Sequence, residues 1–224
     1  MAGPPPAAGA IERSEGWWRA RHAAKLAELR TFRPDLVWLG DSITQNFERD
    51  GPEPWARFAT VWQRFYPNAL NLGFKGDATA HLLWRLRNGE IDGIAPKSVV
   101  ILIGANNLGR LHWSAEDSLV GIEAVVAETQ RRLPRARILV IGVLPSDRSV
   151  WASETTVRIN AGLKLRFGSG SVGFFDATSL FVRGGVVDRG MFYDPLLSPP
   201  EPALHPTAEG MARLAGALAP VLGR

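Results

Sequence analysis

Five short apolar runs, each separated from the next by a helical pattern, constrain the fold of this chain more than any other feature. The runs cover residues 36–39, 69–72, 99–103, 138–143 and 172–175. Apolar residues recur at helical spacing over residues 14–30, 78–89, 115–132, 154–167 and 207–222. Uninterrupted apolar strands joined by helices indicate a parallel sheet that is buried on both faces. We therefore predict a three-layer α/β/α sandwich whose five-stranded parallel sheet has the flavodoxin-like order 2-1-3-4-5.

One domain accounts for the length of the chain. Single α/β domains run to about 200–250 residues, and this chain has 224. Residues 1–12 are rich in proline, alanine and glycine and show no periodic apolar face. We predict that they form a flexible lead-in and that residues 13–224 form the domain.

The composition limits the chemistry and the partners of the chain. There is no cysteine, which excludes disulfides and thiolate chemistry. The 26 Lys and Arg residues exceed the 22 Asp and Glu residues only slightly and are spread along the sequence, so we predict no nucleic-acid partner. No apolar run approaches the ~20 residues of a membrane-spanning helix. A homodimer is compatible with the sequence, as is a cytoplasmic protein or a secreted or periplasmic one whose signal peptide is absent from this chain.

Polar segments that contain glycine follow the first three predicted strands. They read GDSIT at residues 40–44, GFKGD at 73–77 and GANN at 104–107. The carboxyl ends of parallel strands meet at one edge of a sheet, where ligands gather. His205, just before the last predicted helix, could take the hydroxyl proton of Ser42 as that oxygen attacks a carbonyl. The amides of Ser42 and Gly76 and the Asn106 side chain could stabilise the resulting oxyanion.

Each of these residues also has an ordinary structural interpretation. Asp41 and Ser42 are typical of a helix cap after a strand, and Gly76 is typical of a turn. Asn106 is compatible with any loop amide, and His205 with the start of a helix. Their occurrence together, each in a segment that follows its own element, favours an active site.

The same segments resemble a known family. Residues 39–44 (LGDSIT), 71–77 (NLGFKGD) and 103–107 (IGANN) are similar to the first three sequence blocks of the SGNH, or GDSL-like, hydrolases. Residues 81–90 (HLLWRLRNGE) resemble the corresponding helix in the catalytic α subunits of type I platelet-activating-factor acetylhydrolase. The resemblance extends from about residue 17 to the C-terminus.

The resemblance implies a serine esterase that hydrolyses small-molecule esters of short acyl groups through an acyl-enzyme, with neither a metal nor an organic cofactor. It assigns Ser42 as the nucleophile and His205 as the general base. It also assigns Ser42, Gly76 and Asn106 to the oxyanion hole. The alternative is a binding module of the same fold that has lost the orienting aspartate and with it catalysis.

The carboxylate that orients His205 is where the chain departs from the family pattern. The family has an aspartate three residues before this histidine, and this chain has Pro202 there. The segment MFYD, which ends at Asp194, resembles the usual lead-in to that aspartate. We therefore predict Asp194 as the third catalytic residue, followed by a proline-rich insert over residues 195–203. Glu201 and an arrangement without a carboxylate are the alternatives.

A glycine-rich segment and the histidines indicate no further site. Residues 168–173 (GSGSVG) match the dinucleotide pattern G-x-G-x-x-G, which requires a strand before it and a helix after it. In this sequence a predicted helix comes first and a strand follows. The four histidines lack the spacing typical of metal ligands, so we predict no metal and no cofactor.

Overall fold

A twisted parallel sheet forms the centre of the computed structural model, which describes residue 3 and residues 5–223. Its strands are β1 (Leu36–Gly40), β2 (Ala69–Gly73), β3 (Ser98–Leu102), β4 (Arg137–Ile141) and β5 (Val172–Phe175). They pair in parallel in the order β2-β1-β3-β4-β5. The predicted fold class and strand order are confirmed, and no predicted strand end differs from the structure by more than two residues.

Helices cover both faces of the sheet. They are α1 (Gly16–Glu28), α2 (Ser42–Gln45), α3 (Phe58–Phe65), α4 (Thr79–Arg87), α5 (Ala105–Gly109), α6 (Ala115–Arg132), α7 (Val150–Phe167), α8 (Thr178–Phe181) and α9 (Ala208–Leu222). A small hairpin of β6 (Val182–Arg183) and β7 (Val186–Val187) follows α8. The sequence predicts α1, α4, α6, α7 and α9. The remaining helices span eight residues or fewer, which is too short for a periodic pattern to stand out.

Alternate side chains of each strand enter two separate apolar layers, as the period of a β-strand requires. In β1, Val37 and Leu39 pack with residues of α4, α6 and α7. Leu36 and Trp38 point to the opposite face and pack with residues of α3 and α9. All four side chains are fully buried, and each such burial contributes about 1.5–3 kcal/mol. The sheet is therefore a rigid support for the loops at its carboxyl edge.

The first residues of the chain pack against the domain where the structure describes them. Ala7 is fully buried, and its carbonyl accepts a hydrogen bond from Thr79 Oγ1 at 2.8 Å. The amide of Ile11 donates to the carbonyl of Ala80 at 3.1 Å. The sequence predicts a flexible lead-in over residues 1–12, and this region differs from that expectation because α4 offers it polar partners. Residues 1, 2 and 4 lie outside the described part of the chain, and the boundary at residue 13 stays a prediction.

Within residue 3 and residues 5–223, no helix is both long enough and apolar enough to cross a bilayer.

Candidate active site

Ser42 lies directly beyond the carboxyl end of β1, at the first position of α2. The side chain of Asp41 caps this helix, accepting a hydrogen bond from the amide of Ile43 at 2.9 Å. Amides in the first turn of a helix have no carbonyl partner within the helix. The backbone N–H of Ser42 is therefore a donor that a ligand can use, while only 9% of the residue is exposed.

His205 is held just before α9 by main-chain contacts and by an aromatic ring. Its carbonyl accepts a hydrogen bond from the amide of Tyr193 at 3.0 Å, and Thr207 caps α9 two residues later. The ring of Tyr193 stacks on the imidazole, with 5.3 Å between centroids and 9° between planes. Asn46 Nδ2 donates to the Tyr193 hydroxyl at 3.0 Å. The tyrosine thus fixes the plane of the imidazole from one side.

The three side chains predicted as catalytic, those of Ser42, His205 and Asp194, are joined by consecutive hydrogen bonds. Ser42 Oγ lies 3.0 Å from His205 Nε2. On the other side of the ring, His205 Nδ1 lies 2.6 Å from Asp194 Oδ1. Since the carboxylate accepts a hydrogen bond from the protonated Nδ1, Nε2 carries the lone pair that faces the serine hydroxyl. This arrangement can deliver a deprotonated serine oxygen to an electrophile.

Asp194 is held as a carboxylate by several donors. Its Oδ2 accepts hydrogen bonds from the amides of Leu204 at 2.9 Å and His205 at 2.6 Å. Burial opposes ionisation, but the hydrogen bonds and the charge of His205 outweigh burial and lower the pKa of Asp194. The group therefore stays ionised at neutral pH and available to the imidazole.

The proline-rich insert extends to the surface and does not separate Asp194 from His205. Its two ends are joined where Tyr193 donates to the carbonyl of His205 and where Phe192 bridges Pro206. Glu201, the alternative carboxylate, is exposed at the surface, and only its backbone amide contacts Asp194, at 3.0 Å. Of the carboxylates that the sequence offers, the structure brings Asp194 to the ring.

Gly76 and Asn106, the two other residues predicted for the oxyanion hole, are neighbours at the carboxyl ends of β2 and β3. Gly76 has a φ of +80°, a conformation that favours glycine, in the loop after β2. Asn106, in α5, donates from Nδ2 to the carbonyl of Asp77 at 3.0 Å. An amide group carries two N–H bonds, so one of them stays available beside this loop. Asn107, by contrast, serves the fold, because both ends of its amide bond Thr79.

A buried arginine that the sequence analysis did not single out holds the strand ends together. Arg85 is fully buried and donates to the carbonyls of Gly40 at 3.2 Å and Leu72 at 3.3 Å. Its Nε pairs with Asp77 Oδ2 at 2.8 Å, and its Nη1 pairs with Glu90. Removing one partner of such a buried pair costs about 3–5 kcal/mol. Arg85 therefore fixes the loops of Ser42 and Gly76 relative to each other; its one sequence signal is its place in the α4 segment.

The electrostatics of Asp41 lead to a prediction about stability and pH. Burial raises the pKa of Asp41 from 3.8 to about 6, although the Ile43 amide and the charges of His205 and Arg148 oppose the shift. A carboxyl whose pKa rises on folding stabilises the fold fully below its unfolded pKa and loses that contribution as the pH rises through its folded pKa. We expect Asp41→Asn, which keeps an acceptor for the cap, to increase the free energy of unfolding by about 2–3 kcal/mol at pH 8 and hardly at pH 4.

Urea denaturation at the two pH values measures this difference. Asp176→Asn is the matched control, because Asp176 accepts from the Thr178 amide at 2.9 Å in the same way but is exposed. It should give no gain that depends on pH. An equal effect of Asp41→Asn at both pH values would contradict the assigned cause.

Neither the glycine-rich segment nor the acidic and histidine side chains of the described residues form the dinucleotide or metal site that the sequence analysis considered. Residues 168–173 join the end of α7 to β5, the order opposite to that of a dinucleotide-binding turn. No three His, Asp or Glu side chains among the described residues are grouped so that they could hold a metal ion.

Comparison with known proteins places this arrangement in context. A sequence model of the GDSL-like Lipase/Acylhydrolase family matches residues 38–213. The chain is 33% identical over 185 residues to the platelet-activating factor acetylhydrolase IB subunit alpha1 of Bos taurus, a match that covers 80% of this chain and 75% of that protein.

Solved structures share the fold at lower identity. A putative acylhydrolase from Bacteroides fragilis superposes with a TM-score of 0.74 and 19% identity, covering 94% of this chain and 98% of that one. A carbohydrate acetylesterase family member from Sinorhizobium meliloti superposes with a TM-score of 0.63 and 17% identity, covering 86% and 100%. At these identities the likeness concerns the fold.

Proposed function

Because the chain belongs to the GDSL-like lipase/acylhydrolase family and is a carboxylic ester hydrolase, we propose that it hydrolyses esters of short acyl groups through an acyl-enzyme on Ser42. The observation that carries the proposal is the line of contacts from Ser42 Oγ to His205 Nε2, 3.0 Å, and from His205 Nδ1 to Asp194 Oδ1, 2.6 Å. A nucleophile, a base and a group that orients the base are what acyl transfer to a serine requires.

In the first half of the reaction, Ser42 Oγ attacks the ester carbonyl carbon and its proton passes to His205 Nε2. The carbonyl electron pair moves onto oxygen, where the amides of Ser42 and Gly76 and the free N–H of Asn106 stabilise the charge. The C–O bond to the alcohol then breaks, and His205 returns the proton to the departing oxygen. The products of this half are a free alcohol and an ester of Ser42.

In the second half, water replaces the alcohol. His205 takes a proton from water as the water oxygen attacks the acyl carbon, and the tetrahedral intermediate is held by the same donors. Its collapse returns the proton to Ser42 Oγ and releases the carboxylic acid. Asp194 stays ionised throughout: it accepts a hydrogen bond from Nδ1–H and stabilises the imidazolium that forms in both halves.

A short acyl group, acetyl in particular, is supported by the names of similar proteins. The Bos taurus relative is an acetylhydrolase, and the Sinorhizobium meliloti structure is that of a carbohydrate acetylesterase family member. Ser42 is also 91% buried, which favours a small group at the reacting carbon.

Hydrolysis of p-nitrophenyl esters from acetyl to palmitoyl tests the proposal. We expect kcat/KM to be highest for acetyl or propionyl and to fall with each longer chain. Rapid mixing with p-nitrophenyl acetate should show a burst of p-nitrophenol proportional to enzyme if deacylation is slower than acylation, and acetyl-Ser42 should appear in the intact-protein mass after acid quenching. A profile that rises toward long chains would contradict the short-acyl assignment.

A further inference from the structure

The guanidinium of Arg148 is held by hydrogen bonds beside the candidate active site. It lies in the segment between β4 and α7 and is half-buried. Its Nη2 donates to the carbonyl of Ala105 at 3.0 Å, and its Nε donates to Ser146 Oγ at 3.4 Å. A side chain at Gly109 would overlap the guanidinium, so glycine leaves room for it there. The head group is therefore held in place rather than free in solvent.

The charge of this guanidinium is not matched by a carboxylate. Among the described residues, Arg148 has no carboxylate partner at ion-pair distance, unlike the buried Arg85. Burial lowers the pKa of Arg148, and the more distant Asp41 and Asp194 oppose that shift. Asp147, its neighbour in sequence, is already bound to Arg189 at 2.6 Å. A guanidinium has five N–H donors, and the two contacts above leave others unused.

The two active-site carboxylates whose charges act on Arg148 have hydrogen-bond partners of their own. Asp41 Oδ1 accepts from the Ile43 amide. Asp194 accepts from the ring and the amide of His205 and from the amide of Leu204. Neither is placed to neutralise Arg148 by direct contact. A ligand anion is the partner that the position lacks.

Arg148 lies between α5, which bears Asn106, and the segment that leads to His205. Through Ala105 it contacts α5, the helix that bears the side-chain donor of the proposed oxyanion hole. On the other side, Asp147 accepts from the amide of Ala203 at 2.5 Å, in the segment that leads to His205. His205 must reach the oxygen of the departing alcohol. The alcohol part of an ester therefore lies on the side of the site where His205 and Arg148 are found.

On the basis of the proposed function, we propose that Arg148 binds an anionic group on the alcohol part of the substrate and selects negatively charged esters. The planar guanidinium presents paired N–H bonds that match a carboxylate or a phosphate. Its contacts with Ala105 and Ser146 fix the fork before the ligand arrives, which reduces the entropy lost on binding.

Matched acetate esters test this inference. The substrates are 4-acetoxybenzoate, which is anionic, its neutral methyl ester, and 4-acetoxyphenyl phosphate, which separates phosphate from carboxylate recognition. We expect Arg148→Gln to lower the ratio of kcat/KM for an anionic over the neutral ester by about 10- to 100-fold. Comparing the ratio between variants cancels the different intrinsic reactivities of the esters. Arg148→Lys, which keeps the charge but loses the fork, should lie between.

Arg131→Gln is the control for a general loss of positive charge. Arg131 is exposed on the last turn of α6, which leads to the opposite edge of the sheet, and pairs with Glu128. The ratio of kcat/KM for an anionic over the neutral ester should be the same in Arg131→Gln as in the unmodified protein. An unchanged ratio in Arg148→Gln, or an equal fall for all esters, would overturn the inference while leaving the proposed function intact. Absence of hydrolysis that depends on Ser42 would overturn both.

Product inhibition of the unmodified protein gives a second readout that does not depend on the folding of a variant. With p-nitrophenyl acetate as substrate, we expect 4-hydroxybenzoate or 4-hydroxyphenyl phosphate to inhibit at least about tenfold more strongly than methyl 4-hydroxybenzoate. The difference should shrink as ionic strength rises, because the contact is partly open to solvent. Equal inhibition by the charged and neutral products would contradict the inference.

Discussion

Ser42→Ala is expected to reduce kcat/KM for p-nitrophenyl acetate by about 10⁴-fold or more, and to abolish the acyl-enzyme. The alanine variant removes the oxygen that forms the covalent bond, while the oxyanion donors stay in place. It deletes a single side-chain atom at a position that is largely buried, so the fold and the free energy of unfolding should hardly change. Steady-state rates and intact-protein mass measure the two effects.

Ser171→Ala is the matched control for this substitution. Ser171 is exposed in the turn before β5, far in sequence from Ser42 and on the side where β5 begins. Its removal should leave the rate unchanged. Equal rates for Ser42→Ala and the unmodified protein would show that another group carries the hydrolysis and would refute the proposed function.

Asp194→Asn is expected to lower kcat by about 10²- to 10⁴-fold with a much smaller change in KM. An amide at this position can donate to His205 Nδ1, which would favour the tautomer whose Nε2 carries the proton and cannot accept one from Ser42. The imidazolium that forms in the transition state would also lose its charged partner. The separate measurement of kcat and KM distinguishes this effect from weaker substrate binding.

Glu201→Gln is the control that distinguishes the two candidate carboxylates, Asp194 and Glu201. Glu201 is exposed and contacts Asp194 through its backbone, which the substitution preserves. We expect no loss of kcat. A large loss at Glu201 with none at Asp194 would show that the insert rearranges in solution and that the orienting group was assigned to the wrong residue.

The fold was predictable because its signals are local and repeated. A run such as 36–39 is apolar at every position, which is typical of a strand covered on both faces, and the helix over residues 115–132 agrees with α6 at both ends. Short elements such as the four-residue α8 and the β6–β7 hairpin have no comparable pattern. The packing of Ala7 depends on a partner in α4, about 70 residues away.

The candidate site was predictable only in part, for the same physical reason. Ser42, Gly76 and Asn106 each follow a strand, so the topology brings them to one edge. Tyr193 and Arg148 act through contacts between segments distant in sequence, and neither tyrosine nor arginine at such a position is unusual by itself. Their roles depend on distances, stacking and missing partners, which a sequence does not contain.

The backbone contacts that join the two ends of the proline-rich insert affect how such proteins can be detected and altered. Since Tyr193 and His205 are joined through their backbones, the number of residues between Asp194 and His205 does not determine how close their side chains lie. A search that demands a fixed aspartate-to-histidine spacing would overlook chains built this way. The same closure makes the tip of the insert a position where a loop of another length or sequence can be grafted while Asp194 and His205 keep their geometry.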